Sequence, residues 1–226
     1  AAPTVFAPGW EGSDERTRAF MQLDTSADRG GARDGIVMHP PWNNGTGVVA
    51  VEFPLTFPAD QPIHLQFGNA MRDTFAPEPP SDGVTFRVRV AAGDAPDGTW
   101  GDLLFERHVA DKTWQDADVD LSAYAGKSIR LQLEAHPGPK NDTTCDQCFW
   151  GDPMLSAGTP PPPPNPENLL DTTKDAPLLG ALEGAGAPYT AARAAGDTPL
   201  APFVLRGDGG AALGFAGVNA IIAGNP

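Results

Sequence analysis

The chain has 226 residues and a formal net charge of −14, from 15 lysines and arginines against 29 aspartates and glutamates. A surplus of that sign repels phosphate backbones and no basic patch offsets it, so DNA and RNA are excluded as partners. Hydrophobic residues make up 40% of the chain, enough for a core, yet no run approaches the roughly 18 apolar residues of a membrane span.

With 26 glycines and 25 prolines the chain is punctuated as an all-β protein is, by many short strands and turns. Ala1, Ala2 and Pro3 read as a mature N-terminus left by signal cleavage at a small-residue site, which predicts a secreted protein at the cell surface or beyond. Residues 1–32, with Trp10 and the polar stretch 11–18, read as an irregular N-terminal arm.

Period-two alternation then dominates. Residues 47–53 and 63–67 read as strands, and 84–90 places Val84, Phe86, Val88 and Val90 inward with Thr85, Arg87 and Arg89 outward. Residues 103–109 form a further strand, and 128–135 repeats the pattern with Ile129, Leu131 and Leu133 inward. Residues 149–155 close the series, Pro153 marking an edge or a bend. Turn signals fall between them at Asn44-Gly45, Asp82-Gly83, Asp97-Gly98 and Pro137-Gly138. One helical turn is expected after Asp120, stopped at Gly126. Short strands without amphipathic helices bury two inner faces best as a two-sheet antiparallel sandwich over residues 33–158.

A run of prolines from Pro160 to Pro164 makes residues 159–166 a stiff polyproline spacer. Residues 167–226 are rich in alanine and glycine and too apolar for a solvated linker. Leu213, Phe215, Val218, Ile221 and Ile222 would dock on a neighbouring subunit or back on the sandwich.

Ser81-Asp-Gly-Val-Thr-Phe-Arg-Val88, Trp114, the stretch from Val119 through Tyr124 to Leu131, Pro137-Gly-Pro139 and Phe149-Trp-Gly-Asp-Pro153 follow one another in order. Together they resemble the galactose-binding-like jelly-roll modules of large secreted bacterial proteins, many of them carbohydrate-binding. The resemblance covers about residues 35–156 and implies a jelly-roll-like sandwich, in which the turn around Tyr124 is structural.

A glycan platform needs an exposed aromatic face beside hydrogen-bonding groups. Trp150 and Trp114 read as structural, whereas Trp42 and Trp100 lie in turns and are the candidate sugar-binding residues. Loop carboxylates make calcium the ion to consider, with Asp24, Asp28 and Asp34 wrapping it in a flexible loop. Asp116, Asp118 and Asp120 mimic the start of an EF-hand loop but meet Leu121 and Lys127 where glycine and glutamate belong, and read as a solvated strand face. His39, His64, His108 and His136 lack zinc spacing, and no catalytic motif is present, so an enzyme is not expected. Cys145 and Cys148, among acidic neighbours, predict a small structural disulfide rather than a redox pair. Asn44 and Asn141 lie in N-glycosylation sequons.

Two function classes fit. In the first, copies of the chain assemble through the tail into a filament, sheath or surface layer. In the second, the chain is a carbohydrate-binding module of a larger secreted protein. The unpartnered apolar tail places assembly first.

Overall fold

The computed structural model describes residues 3–157 and three C-terminal segments, 203–205, 210–213 and 219–224. The first sheet runs, in order, β1 (Thr4–Val5), β14 (Asn219–Gly224), β5 (Gly47–Thr56), β10 (Ser128–His136), β7 (Val84–Ala92) and β8 (Asp102–Val109). The second runs β2 (Gly12–Ser13), β3 (Phe20–Asp28), β4 (Ala32–His39), β11 (Cys148–Ala157), β6 (Ile63–Met71) and β9 (Gln115–Asp120). β13 (Gly210–Leu213), flanked by β12 (Phe203–Leu205), takes the place of β4 beside the C-terminal half of β11. The chain is a two-sheet antiparallel β-sandwich, as its alternation and its jelly-roll resemblance predict.

Register turns alternation into a core. Leu133 lies between Val51 and Val88, Leu131 between Phe53 and Val90, and Ala135 between Val49 and Phe86. These inward rows are buried. Trp150 joins the layers, with ring centroids 4.8 Å from Phe67 on β6 and 5.2 Å from Phe86 on β7. Such aromatic pairs add directional contacts to the area they bury.

Residues 1–32 are not an irregular arm. β3 crosses the second sheet with Met21 and Leu23 buried, and the register shift between Gln22 and Thr25 breaks the period that would have revealed it. Pro153 marks a bend and not an edge: β11 is a central strand, and the proline falls in a bulge where the β4 ladder stops and the β13 ladder begins. Asp152 takes φ 45 there. The turn after Asp120 is a single 3-10 turn, Ser122–Tyr124, and Asp120 Oδ1 accepts the Ser122 N–H at 2.8 Å.

The spacer 159–166 lies outside the described residues, as does most of the tail. The tail backbone that is described pairs within the chain, β14 on β5 from Asn219 opposite Glu52 to Gly224 opposite Gly47, and β13 on β11.

The outer face of the first sheet is covered by its own chain. Residues 93–101 lie across it, and the Gln132 amide donates to Thr99 O at 2.7 Å and accepts from Gly101 N–H at 3.1 Å. Beneath them, Glu52 accepts from Gln132 and Arg130, each at 2.8 Å. Glu134 accepts from Arg87 at 2.7 Å and Arg89 at 2.8 Å. Buried carboxylates are tolerated when paired and hydrogen-bonded in this way.

Candidate functional site

Trp42, on the connection from β4 to β5, is 55% exposed. Its loop is nevertheless held firmly. Thr17 O accepts the N–H groups of Trp42 at 3.0 Å and Asn43 at 2.9 Å, and Arg16 O accepts the side-chain amides of Asn43 at 3.0 Å and Asn44 at 2.9 Å. Asn44 and Gly45 form the expected turn with positive φ of 58 and 113. The Arg16–Thr17 backbone is itself anchored, because Asp14 Oδ2 accepts the Thr17 N–H at 2.9 Å. Burial opposes the charged form of Asp14, but the Thr17 hydroxyl and N–H groups of the turn outweigh it and hold this carboxyl below its ordinary range. The result is a large apolar ring presented to water on a braced loop.

Trp100 sits half-buried in the segment strapped over the first sheet, on a different connection from Trp42. Trp114 is also half-buried, on the outer face of the second sheet. There Gly35, Gly151, Gly68 and Asp116 form one row across β4, β11, β6 and β9. The missing side chains leave a floor for Trp114 and Arg33: a Cβ on Gly151 would lie 2.7 Å from the indole, and one on Gly68 would run into the Arg33 guanidinium. The Arg33 guanidinium lies 5.2 Å from the Trp114 ring centroid and donates to Asp116 Oδ1 at 2.6 Å. The indole N–H donates to Gly31 O at 2.8 Å. Sequence reasoning missed this arrangement, although glycines inside strands are its signal, since they mark close approach by another group.

Asp116, Asp118 and Asp120 share the face of β9 that alternation assigns them, but each has a protein partner. Asp118 accepts from Gln66 at 2.9 Å and meets His64 Nδ1 at 2.7 Å. The aspartates expected to wrap calcium lie on a hairpin and not in a flexible loop: Asp24 and Asp28 belong to β3, and Asp34 to β4. Asp28 Oδ1 closes the hairpin turn by accepting Gly31 N–H at 2.9 Å. Among the described residues no three histidine, cysteine or acidic side chains gather as metal ligands.

Cys145 and Cys148 are free thiols, which corrects the expected disulfide. Cys148 is committed to the core by the inward phase of β11, its Sγ 3.6 Å from Met38 O, while Cys145 is a half-buried turn residue at φ 59. Burial, reinforced by the Asp146 charge, raises the Cys148 thiol well above its ordinary range. Iodoacetamide is therefore expected to label native Cys145 at least about tenfold faster than Cys148. Equal rates before denaturation would count against this placement.

Asn44 and Asn141 are both exposed turn residues, Asn141 with φ 59. Of the residues proposed to drive assembly, Leu213 ends β13, and Ile221 and Ile222 pair with Ala50 and Val49 of β5. Phe215 and Val218 lie outside the described residues.

No family model matches the chain. An uncharacterized protein of Archaeoglobus fulgidus is 33% identical over 102 residues, 42% of this chain and 24% of that protein, so the chain spans about a quarter of its relative's length. Among solved structures, the CBM22-1 xylan-binding domain of Paenibacillus barcinonensis Xyn10C is similar with a TM-score of 0.37 and 14% identity, over 70% of this chain and 95% of that one. The CBM22-1–GH10 modules of Clostridium thermocellum xylanase 10B, complexed with xylohexaose, give a TM-score of 0.31 and 12% identity over 72% of this chain and 26% of that one.

Proposed function

We propose that this chain is a non-enzymatic carbohydrate-binding module of a secreted protein, holding a glycan against Trp42. The observation that carries the reading is a tryptophan left 55% exposed on a loop fixed by four hydrogen bonds to Arg16 and Thr17. An exposed indole leaves unused roughly the 1.5–3 kcal/mol that burying a large apolar side chain supplies. A braced loop recovers part of it when a sugar's C–H face covers the ring, without ordering the loop anew. The amide oxygens of Asn43 and Asn44, whose nitrogens are spent on Arg16, are acceptors suited to sugar hydroxyls. Trp100 is the second candidate contact.

Assembly through the tail is the weaker reading. It rests on an apolar segment in want of a partner, and β14 already has its ladder on β5 of the same chain.

Affinity electrophoresis of the full chain against xylan, β-glucan, galactomannan and pectin tests the proposal. One polysaccharide is expected to retard the parent, with retardation lost in Trp42→Ala at an unchanged circular dichroism spectrum. Parent migration unaffected by every polysaccharide, or retention of the Trp42→Ala variant equal to the parent's, would overturn it.

A further inference from the structure

At one edge of the sandwich Arg107 on β8 bridges the two sheets. Its position is inward, opposite Phe86 of β7. The guanidinium donates to Asp116 O on β9 at 2.9 Å, to Gln115 O beside it, and to Asn69 Oδ1 on β6 at 2.9 Å. All three acceptors are neutral. The charge of Asp116 bears on Arg107, but that carboxylate accepts from Arg33, and Glu106 pairs with Arg87 on the outward face. Among the described residues no acidic side chain forms an ion pair with Arg107. Burial holds the guanidinium below its ordinary range, by more than the Asp116 charge restores.

Three buried N–H donors gather here without an acceptor: Arg107 Nε, Asn69 Nδ2 and Trp150 Nε1. The 2.9 Å bond between Arg107 Nη2 and Asn69 Oδ1 brings the first two together, because Nε and Nδ2 each lie roughly 2.3 Å from the atoms that make it. The same bond fixes the amide's orientation, since Nδ2 could not face another donor. Asn69 and Trp150 are both 0% exposed and stand directly opposite each other on β6 and β11, so their side chains are neighbours in one inward row. The indole also meets Phe86, the residue opposite Arg107, at 5.2 Å between centroids. Buried donors left unpaired are costly, and a dry guanidinium without a counter-charge is more so.

We propose that Arg107 Nε, Asn69 Nδ2 and Trp150 Nε1 bind a small monovalent anion of the halide class, chloride above all. Amide and indole N–H groups donate without giving up a proton, which suits a weakly basic, single-atom ion. Water would meet the same donors but brings no charge to balance the guanidinium. The formal net charge of −14 opposes an anion at long range. Salt screens that field beyond about 8 Å, so the adjacent guanidinium decides. The ion ties β8 to β6 and β11 between the sheets. The site is separate from Trp42 and does not depend on glycan binding.

Thermal denaturation of the full chain, with sodium chloride replacing sodium gluconate at constant total salt, tests it. Chloride is expected to raise the parent Tm by on the order of 4 °C and then to saturate, and bromide to act alike. The NMR line of chloride should broaden in the presence of the parent and narrow again when bromide competes. The rise is expected to vanish in Arg107→Gln and in Asn69→Asp, where the new carboxylate beside Arg107 takes the place of the ion. It should survive in Arg72→Gln, which removes an arginine paired with Glu78 on the β6–β7 connection. Should the Arg107 and Asn69 variants fail to fold, the parent's Tm series and chloride line still decide. A parent Tm indifferent to the anion, a chloride line that bromide does not narrow, a rise that persists in Arg107→Gln, or a rise lost in Arg72→Gln would each overturn the proposal, a water molecule on the three donors being the reading left.

Discussion

Glu134→Ala is expected to lower stability by about 3–5 kcal/mol, the range for breaking a buried ion pair by removing one partner. Glu134 is 3% exposed at its side chain and accepts from both Arg87 and Arg89. Without it the two guanidiniums converge on the same buried spot with their shared acceptor gone. Arg89 retains the Gly101 carbonyl at 3.2 Å, and Arg87 retains Glu106. Glu106 is 48% exposed, so Glu106→Ala should cost only about 0–1 kcal/mol. Thermal melts should place Glu134→Ala roughly 10 °C below the parent, and Glu106→Ala close to it. Equal shifts for the two variants would mean that the Glu134 network is solvated and not a buried part of the sheet.

Gly35→Ala should be still less well tolerated, costing more than about 3 kcal/mol, beyond the usual range for overpacking. A Cβ at Gly35 would lie 1.8 Å from the Trp150 carbonyl oxygen and 2.9 Å from its carbon. Those atoms belong to the backbone of β11, a strand paired on both sides, so they cannot swing away as a side-chain tip would. The only relief is to part β4 from β11, which disturbs the seat of Trp150 in the core. Urea denaturation of the variant should show a much lower midpoint or no folded baseline. A loss below about 0.5 kcal/mol, the size of an ordinary surface change, would show that the two strands do not approach so closely.

Trp42 was legible as a candidate because aromatic residues in turns stand out from the strand pattern. Its bracing was not, since the partners Arg16 and Thr17 sit in a turn that alternation cannot place beside residues 42–44. The hydrogen bond of Ser81 to the buried Asp146 was hidden for the same reason, its partners being 65 positions apart and joined only by the fold. The cysteines misled: their acidic surroundings implied a structural bond, whereas the phase of β11 turned Cys148 into the core.

Sequence by itself determined the strands whose two faces meet different surroundings. In β7 and β10, inward Val88 and Leu133 alternate with outward Arg87 and Gln132, because one face packs on the other sheet and the opposite face carries polar groups. β4 gives no such signal, since Ile36, Val37 and Met38 are all buried and both faces are covered. β3 loses its signal at the register shift between Gln22 and Thr25. Only the tertiary structure decided where the C-terminal strand pairs. Main-chain N–H and C=O groups are the same in every residue, so a strand's own composition announces that it needs a ladder but not which edge supplies it; the antiparallel fit of β14 to β5 is a property of the assembled sheet.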